Sequence, residues 1–217
     1  MTVTDVNVVK SAIFERPDDA NKGTLGSLLC VCGSYGMAGA AVMSAKGALR
    51  TGIGLAKCAL PRSIYPIVAQ TILESVYYPL SENADGRISK INVPFLVSES
   101  CKSSATLVGC GLGVCDDTLK IVFSLIENST TPLVLDADAL NCVAKQPEIL
   151  LRKKAPIIIT PHPGEMSRLT GLATPLVNAE RKRVALDFAQ KYGVVTVLKG
   201  AGTVIASPNG KVLVNPT

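Results

Sequence analysis

The sequence predicts an α/β fold built on a doubly wound, mostly parallel sheet with helices on both faces. Three observations predict it. Short β-branched runs alternate with helical segments along the chain, the pattern of repeated strand–helix–strand units. There is no Trp and the aromatic content is 4%, so the core falls to Val, Ile, Leu and Ala, the residues of a buried parallel sheet. Glycine-rich or polar stretches follow strand after strand, at the edge where open α/β sheets bind ligands.

Taken in order, strands are expected at Ser27–Cys32, Leu55–Leu60, Ala105–Gly109, Pro132–Leu135, Pro156–Thr160 and Val194–Leu198. Two more follow at Thr203–Ala206 and Lys211–Val214, with Asn209-Gly210 between them as a hairpin turn. That hairpin adds an antiparallel edge. A small-residue helix is expected over Ala40–Leu49. Asp116 or Asp117 caps another that runs to about Asn128 and places Leu119, Val122 and Ile126 on one face. Thr174 reads as an N-cap before Pro175, opening one helix that carries Val177, Val184, Phe188 and Tyr192 and stops at Gly193. No repeat, low-complexity tract or linker interrupts the pattern, so residues 1–217 are expected to form one domain.

Bulk properties narrow the function classes. Hydrophobic residues make up 47% of the chain and charged residues 18%, a globular balance. The net charge is +5, a mild aid to an anionic substrate. Basic residues do not interleave with aromatics in a stripe, which argues against a nucleic-acid partner. The short runs Arg152–Lys154 and Arg181–Arg183 read as solvated helix faces. Seven cysteines without zinc-site spacing read as buried, reduced thiols rather than metal ligands. Cys30 and Cys32, two apart in a strand, should share a face. The first nineteen residues lack the basic and apolar regions of a secretory leader, and no apolar run approaches the roughly 18 residues of a membrane span. A cytoplasmic protein with no membrane partner is expected.

Five post-strand loops could carry chemistry. Gly33-Ser34-Tyr35-Gly36-Met37-Ala38-Gly39-Ala40 opens a helix and is either an anion-accepting helix start or a tight turn. Gly109-Cys110-Gly111-Leu112-Gly113 is a flexible turn or a close-approach site. In Asp136-Ala137-Asp138, two carboxylates meet the mouth of a buried strand, where charge is costly unless used or capped. Asp138 is possible as an N-cap, whereas Asp136 could hold a substrate hydroxyl or a magnesium water shell. Thr160-Pro161-His162-Pro163-Gly164-Glu165 holds the sole histidine in a rigid loop, and Glu165 suits a first helical turn. Lys199-Gly200-Ala201-Gly202-Thr203 pairs a lysine charge with turn amides, a phosphate-binding combination, or forms an ordinary turn.

In order and spacing, these stretches resemble the ADP-dependent NAD(P)H-hydrate dehydratases. Lys22–Gly26, Gly39-Ala40-Ala41, Ala48–Leu55, Asp136–Asn141, Thr160–Glu165, Leu198–Thr203 and Asn215-Pro216-Thr217 carry the resemblance, which covers roughly residues 20–217. The resemblance implies a ribokinase-like fold and dehydration of the S form of hydrated NADH or NADPH. The co-substrate would be ADP, or ATP, with Mg²⁺, and the assembly a homotetramer. Gly39, Ala40, Gly111, Asp136 and His162 would line the hydrated-dinucleotide site. Lys199, Gly200, Ala201, Gly202 and Thr203 would bind the nucleotide. Pro161-His162-Pro163 matches the bacterial, ADP-using branch.

Two departures stand out. Cys110 replaces the proline of the family's Gly-Pro-Gly. The catalytic aspartate of the family follows in a glycine-rich loop after Asn-Pro-Thr, beyond Thr217, so a longer polypeptide is expected and no catalytic base is assigned. A ribokinase-like vitamin kinase, acting for example on hydroxyethylthiazole, and a non-catalytic nucleotide-binding subunit are the other readings.

Overall fold

The β-branched runs become neighbours in one ten-stranded sheet. The structure, a computed structural model, describes residues 2–3 and 18–216. Most of the N-terminal stretch read as lacking a leader pattern, and Thr217, lie outside the described residues. The strands are β1 (Thr2–Val3), β2 (Ser27–Val31), β3 (Leu55–Pro61), β4 (Val76–Leu80), β5 (Ala105–Val108), β6 (Leu133–Leu135), β7 (Ile157–Ile159), β8 (Val195–Leu198), β9 (Thr203–Ala206) and β10 (Val212–Asn215). Their order is β1-β10-β9-β8-β7-β6-β5-β2-β3-β4. Every neighbouring pair from β4 to β8 is parallel. The β9–β10 hairpin is antiparallel as expected, but the two-residue β1 pairs parallel with β10 and forms the edge in its place.

The helices are α1 (Ala38–Arg50), α2 (Tyr65–Thr71), α3 (Val93–Cys101), α4 (Asp116–Asn128), α5 (Asp138–Val143), α6 (Pro163–Thr170), α7 (Thr174–Ala179) and α8 (Arg181–Tyr192). Side-chain alternation on β2 divides the core between the two faces. Leu29 and Val31 join the larger cluster, with Leu96 of α3, Ile121 of α4 and Phe188 of α8. Cys30 and Cys32 share the opposite face, as their spacing requires, and pack with Ala41 and Ala45 of α1 and Val68 of α2. Chain order runs outward from β2 in both directions, so the sheet reverses between β2 and β5. The crevice beyond that reversal is where such a sheet binds ligands.

Several local expectations change. Strand β4 lies outside the expected strands; it carries Pro79, which the end position in the sheet tolerates. The single helix expected after Thr174 is two helices, interrupted at Glu180 (φ −120°, ψ 33°). Ala173 takes the cap position and Thr174 is the first helical residue. Cys115, not an aspartate, caps α4, and Thr118 closes its capping box. Asp116 and Asp117 occupy the first turn, where the helix dipole favours their charge.

The two basic runs are not solvated helix faces throughout. Lys153 donates to the Tyr192 carbonyl at 2.8 Å and so satisfies the end of α8; partial burial lowers its pKa. Arg181 also turns inward, as described below. Cys30, Cys32, Cys58 and Cys142 are buried free thiols, whereas Cys101, Cys110 and Cys115 are partly exposed. Among the described residues, no helix is long and apolar enough to cross a membrane.

Candidate functional site

The five loops meet at the carboxyl edge because backbone bonds tie each to the next. The Gly33 amide donates to the Cys110 carbonyl and the Ser34 hydroxyl to the Gly111 carbonyl, both at 2.8 Å. These bonds bridge the reversal between β2 and β5. Gly111 (φ 64°) lies so close to α1 that a Cβ there would sit 2.6 Å from the Ala40 Cβ. Gly39, by contrast, faces open space at the start of α1, with nothing within 4 Å of its Cβ position.

The second loop presses on the third in the same way. A Cβ on Gly109 (φ 121°) would lie 2.0 Å from the Asp136 carbonyl oxygen. The Gly113 amide donates to Asp138 Oδ2 at 2.8 Å, and Asp138 Oδ1 accepts from Asn141 at 3.2 Å. Asn141 in turn accepts from Arg168 Nε at 2.9 Å. Asp138 is therefore a brace in the first turn of α5, whose cap position belongs to Ala137. Ala137 (φ 50°, ψ −115°) has the one positive φ outside glycine among the described residues. Such strain persists where surrounding contacts enforce it, and it clusters at functional sites.

Asp136 pairs with the fifth loop. Its Oδ1 accepts from Lys199 Nζ at 2.7 Å, joining the third loop to the fifth. Burial works to raise the Asp136 pKa, but Lys199, Thr160 and the Ala137 amide outweigh it and hold the carboxyl below its ordinary value. Cys110 Sγ lies 3.8 Å from Asp136 Oδ2. Hydrogen bonding with Cys32 lowers the Cys110 pKa, against burial and the nearby carboxylate, while the Cys32 thiol is raised.

His162 caps α6 through its side chain. Nδ1 accepts from the amides of Gly164 (3.0 Å) and Glu165 (3.3 Å), and Glu165 Oε2 accepts from the His162 amide at 2.8 Å. This reciprocal capping box sets the ring orientation. In the neutral ring with Nδ1 accepting, the proton sits on Nε2, which lies 3.4 Å from Glu165 Oε1. Half of the histidine side chain remains exposed at the loop surface. The Lys199 amide donates to the Pro161 carbonyl at 2.8 Å, fastening the fourth loop to the fifth.

Sequence reasoning missed Arg181. Its Nη2 donates to the carbonyls of Leu198 (2.8 Å) and Gly202 (3.5 Å), the two ends of the fifth loop. No periodic or compositional signal marked it, because it sits in a basic run at a helix start. A cavity of about 650 Å³ adjoins the loop and is lined by Arg181, Ala201, Gly202, Val204 and Val214. Another, of about 480 Å³, lies between α6 and α8 and touches none of the five loops.

A model of the NAD(P)H-hydrate dehydratase family matches residues 28–217. The chain belongs to that family. The dehydratase assignment agrees with the resemblance of the five loops and with the ribokinase-like sheet. The bifunctional NAD(P)H-hydrate repair enzyme Nnr of Thermofilum pendens is 39% identical over 200 residues, covering 92% of this chain and 38% of that protein. The ADP-dependent (S)-NAD(P)H-hydrate dehydratase of Bacillus subtilis is 31% identical over 211 residues, covering 96% and 70%. A crystal structure of the Bacillus subtilis ADP/ATP-dependent NAD(P)H-hydrate dehydratase, co-crystallised with ATP/Mg²⁺, superposes with a TM-score of 0.82 at 29% identity. It covers all of this chain and 73% of that one. The dehydratase-family chain thus spans about two fifths of the bifunctional relatives it matches.

Proposed function

We propose that this chain carries the site at which ADP, or ATP, drives dehydration of the S epimer of hydrated NADH or NADPH, releasing the reduced cofactor with AMP and phosphate. The observation that supports it most is the Lys199–Asp136 pair at 2.7 Å. It joins the fifth loop to the reversal crevice, so a nucleotide on one and a dinucleotide in the other would meet.

The residues divide the work by chemistry. Lys199 and the turn through Gly200, Ala201, Gly202 and Thr203 would receive the nucleotide phosphates, the lysine supplying charge and the turn supplying amides. Gly39, Ala40 and Gly111 would let the hydrated dinucleotide approach the backbone where a larger side chain would block it. Asp136 and the half-exposed ring of His162 would fix its polar groups. Phosphoryl transfer to the hydroxyl on the reduced ring turns a poor leaving group into a good one, and it asks the protein mainly for position and charge.

Asp136 and Asp138 are both engaged, by Lys199 and by Gly113 with Asn141. We therefore assign neither as the base that takes the hydroxyl proton.

Among the described residues no group of three or more His, Cys, Asp or Glu could cage a metal. The donors instead fit a Mg²⁺ carried mainly by nucleotide phosphates and water, with Asp136 as the adjacent carboxylate, the usual manner of binding for this ion. Bound there, the ion would neutralise phosphate charge. A homotetramer in the cytoplasm completes the proposal.

The test is stoichiometric. Incubation with the S hydrate and ADP should yield NADH, AMP and phosphate in equal amounts, with none of the three formed without nucleotide. Phosphorylation of a small alcohol such as hydroxyethylthiazole, with the hydrate left unchanged, would replace this reading by the kinase one. Nucleotide binding without turnover of either would favour a non-catalytic subunit.

A further inference from the structure

We propose that Arg181 is a positioning residue for the nucleotide loop: its guanidinium clamps both ends of the Lys199–Gly202 turn and holds the turn's amides toward one ligand. The inference rests on the reading of that turn as the nucleotide site.

The geometry is that of a brace. Arg181 is the first residue of α8, directly after the helix break at Glu180. Its Nη2 reaches the Leu198 carbonyl, where β8 ends, and the Gly202 carbonyl, just before β9 begins. One donor group therefore spans the turn. The planar, forked guanidinium presents its donors in a fixed geometry that a lysine cannot copy.

Gly200 is the complement of that brace. A Cβ at this position would lie 2.6 Å from Nη1, 2.9 Å from Nη2 and 3.1 Å from Cζ of Arg181. Its φ of 145° is also one that residues with a Cβ rarely adopt. The glycine lets the guanidinium lie flat against the turn.

Charge points the same way. Neighbouring Glu180 pairs with Arg183, and no carboxylate pairs with Arg181 among the described residues. Its Nε is buried without a hydrogen-bond partner. A partly buried cation answered only by carbonyls is costly, and an anion on the adjacent turn would offset that cost. Among the described residues the Gly200 and Ala201 amides likewise have no backbone acceptor. Arg181 and Ala201 both line the roughly 650 Å³ cavity, so a cation and an amide with no backbone acceptor meet there, a combination that suits an anion.

The experiment is calorimetric titration of ADP–Mg²⁺ into the full chain and into Arg181→Lys, Arg181→Ala, Gly200→Ala and the double variant Arg181→Ala/Gly200→Ala. Thermal melting of each variant accompanies it. Arg181→Lys should melt like the wild type yet bind ADP about tenfold more weakly, the scale of one lost charged hydrogen bond. Gly200→Ala should weaken binding more in the wild-type background than in Arg181→Ala, because the guanidinium it collides with is gone. A folded Arg181→Lys or Arg181→Ala with wild-type ADP affinity would overturn the inference while leaving the nucleotide site standing. So would an equal Gly200→Ala effect in both backgrounds. If the wild type itself binds neither ADP nor ATP, the reading of the turn as a nucleotide site fails, and the role of Arg181 fails with it.

Discussion

Gly109→Ala should unfold the crevice from within. The added methyl would lie 2.0 Å from the Asp136 carbonyl oxygen, 2.6 Å from the Ala139 Cβ and 2.7 Å from the Ala139 amide nitrogen. Two of these neighbours are backbone atoms, so no side chain can swing aside. Reaching even 3.0 Å, the least that real Cβ contacts show, requires a shift of 1.0 Å (3.0 − 2.0) between β5 and the third loop. Overpacking of this kind costs about 1–3 kcal/mol. Placing a Cβ at φ 121° adds about 1–2 kcal/mol, the scale of left-handed strain. The sum, about 2–5 kcal/mol, is a large share of the roughly 5–15 kcal/mol that holds a typical domain together. Urea unfolding followed by circular dichroism would read it as a lower midpoint at unchanged slope. The shift also disturbs the Asp136–Lys199 pair, so ADP affinity should fall in whatever protein remains folded. A loss below about 0.5 kcal/mol, the ordinary range of a surface substitution, would refute the tight contact between these loops.

Other perturbations separate fold from site. Gly39→Ala meets nothing within 4 Å, so the melting temperature should hold while hydrated-NADH binding drops; equal loss of both would show that the position is structural. His162→Asn keeps a strong cap residue, so stability should change by less than about 0.5 kcal/mol whereas His162→Ala loses about 1 kcal/mol; urea midpoints of the pair decide. Ala137→Gly relieves a positive φ at some cost in unfolded-chain entropy, and should be neutral to stabilising by about 1 kcal/mol; destabilisation would show that the backbone there is unstrained. The Asp136 pKa is depressed below 3.8 in the fold. Its stabilisation is therefore complete above that value and lost as pH falls through the lower folded one. Asp136→Asn should narrow the stability gap between neutral and strongly acidic solution, and an unchanged gap would remove Asp136 from the linkage.

Much of this was legible because periodicity and loop chemistry are local. The alternation that puts Cys30 and Cys32 on one face, and the Asn209-Gly210 hairpin, needed only neighbours in sequence. The pairings that make the site are distant. Lys199 meets Asp136 across 63 residues, and nothing in either segment names the other except their shared position after a strand. Arg181 was misread for a related reason. A basic residue at a helix start signals solvent, and only the sheet order places that start against the end of β8. The apolar run Ile157-Ile158-Ile159 is not buried throughout: Ile158 keeps 36% of its surface. Composition records apolarity; it does not record what covers it.

His162 shows the opposite limit. Its position after a strand marked it as a site residue, and the structure leaves half of its side chain exposed. The same ring also caps α6, a role that depends on the two amides following Pro163 and that residue type alone does not reveal.

The most direct test follows the absorbance of reduced nicotinamide as purified protein is mixed with the S hydrate of NADH, with and without ADP–Mg²⁺, for the wild type and Lys199→Met. Recovery of absorbance by the wild type only with ADP, and its loss in a Lys199→Met protein that still melts cooperatively, is the expected result. Recovery without nucleotide, or full activity in Lys199→Met, would contradict the assignment of the crevice as a nucleotide-driven dehydration site.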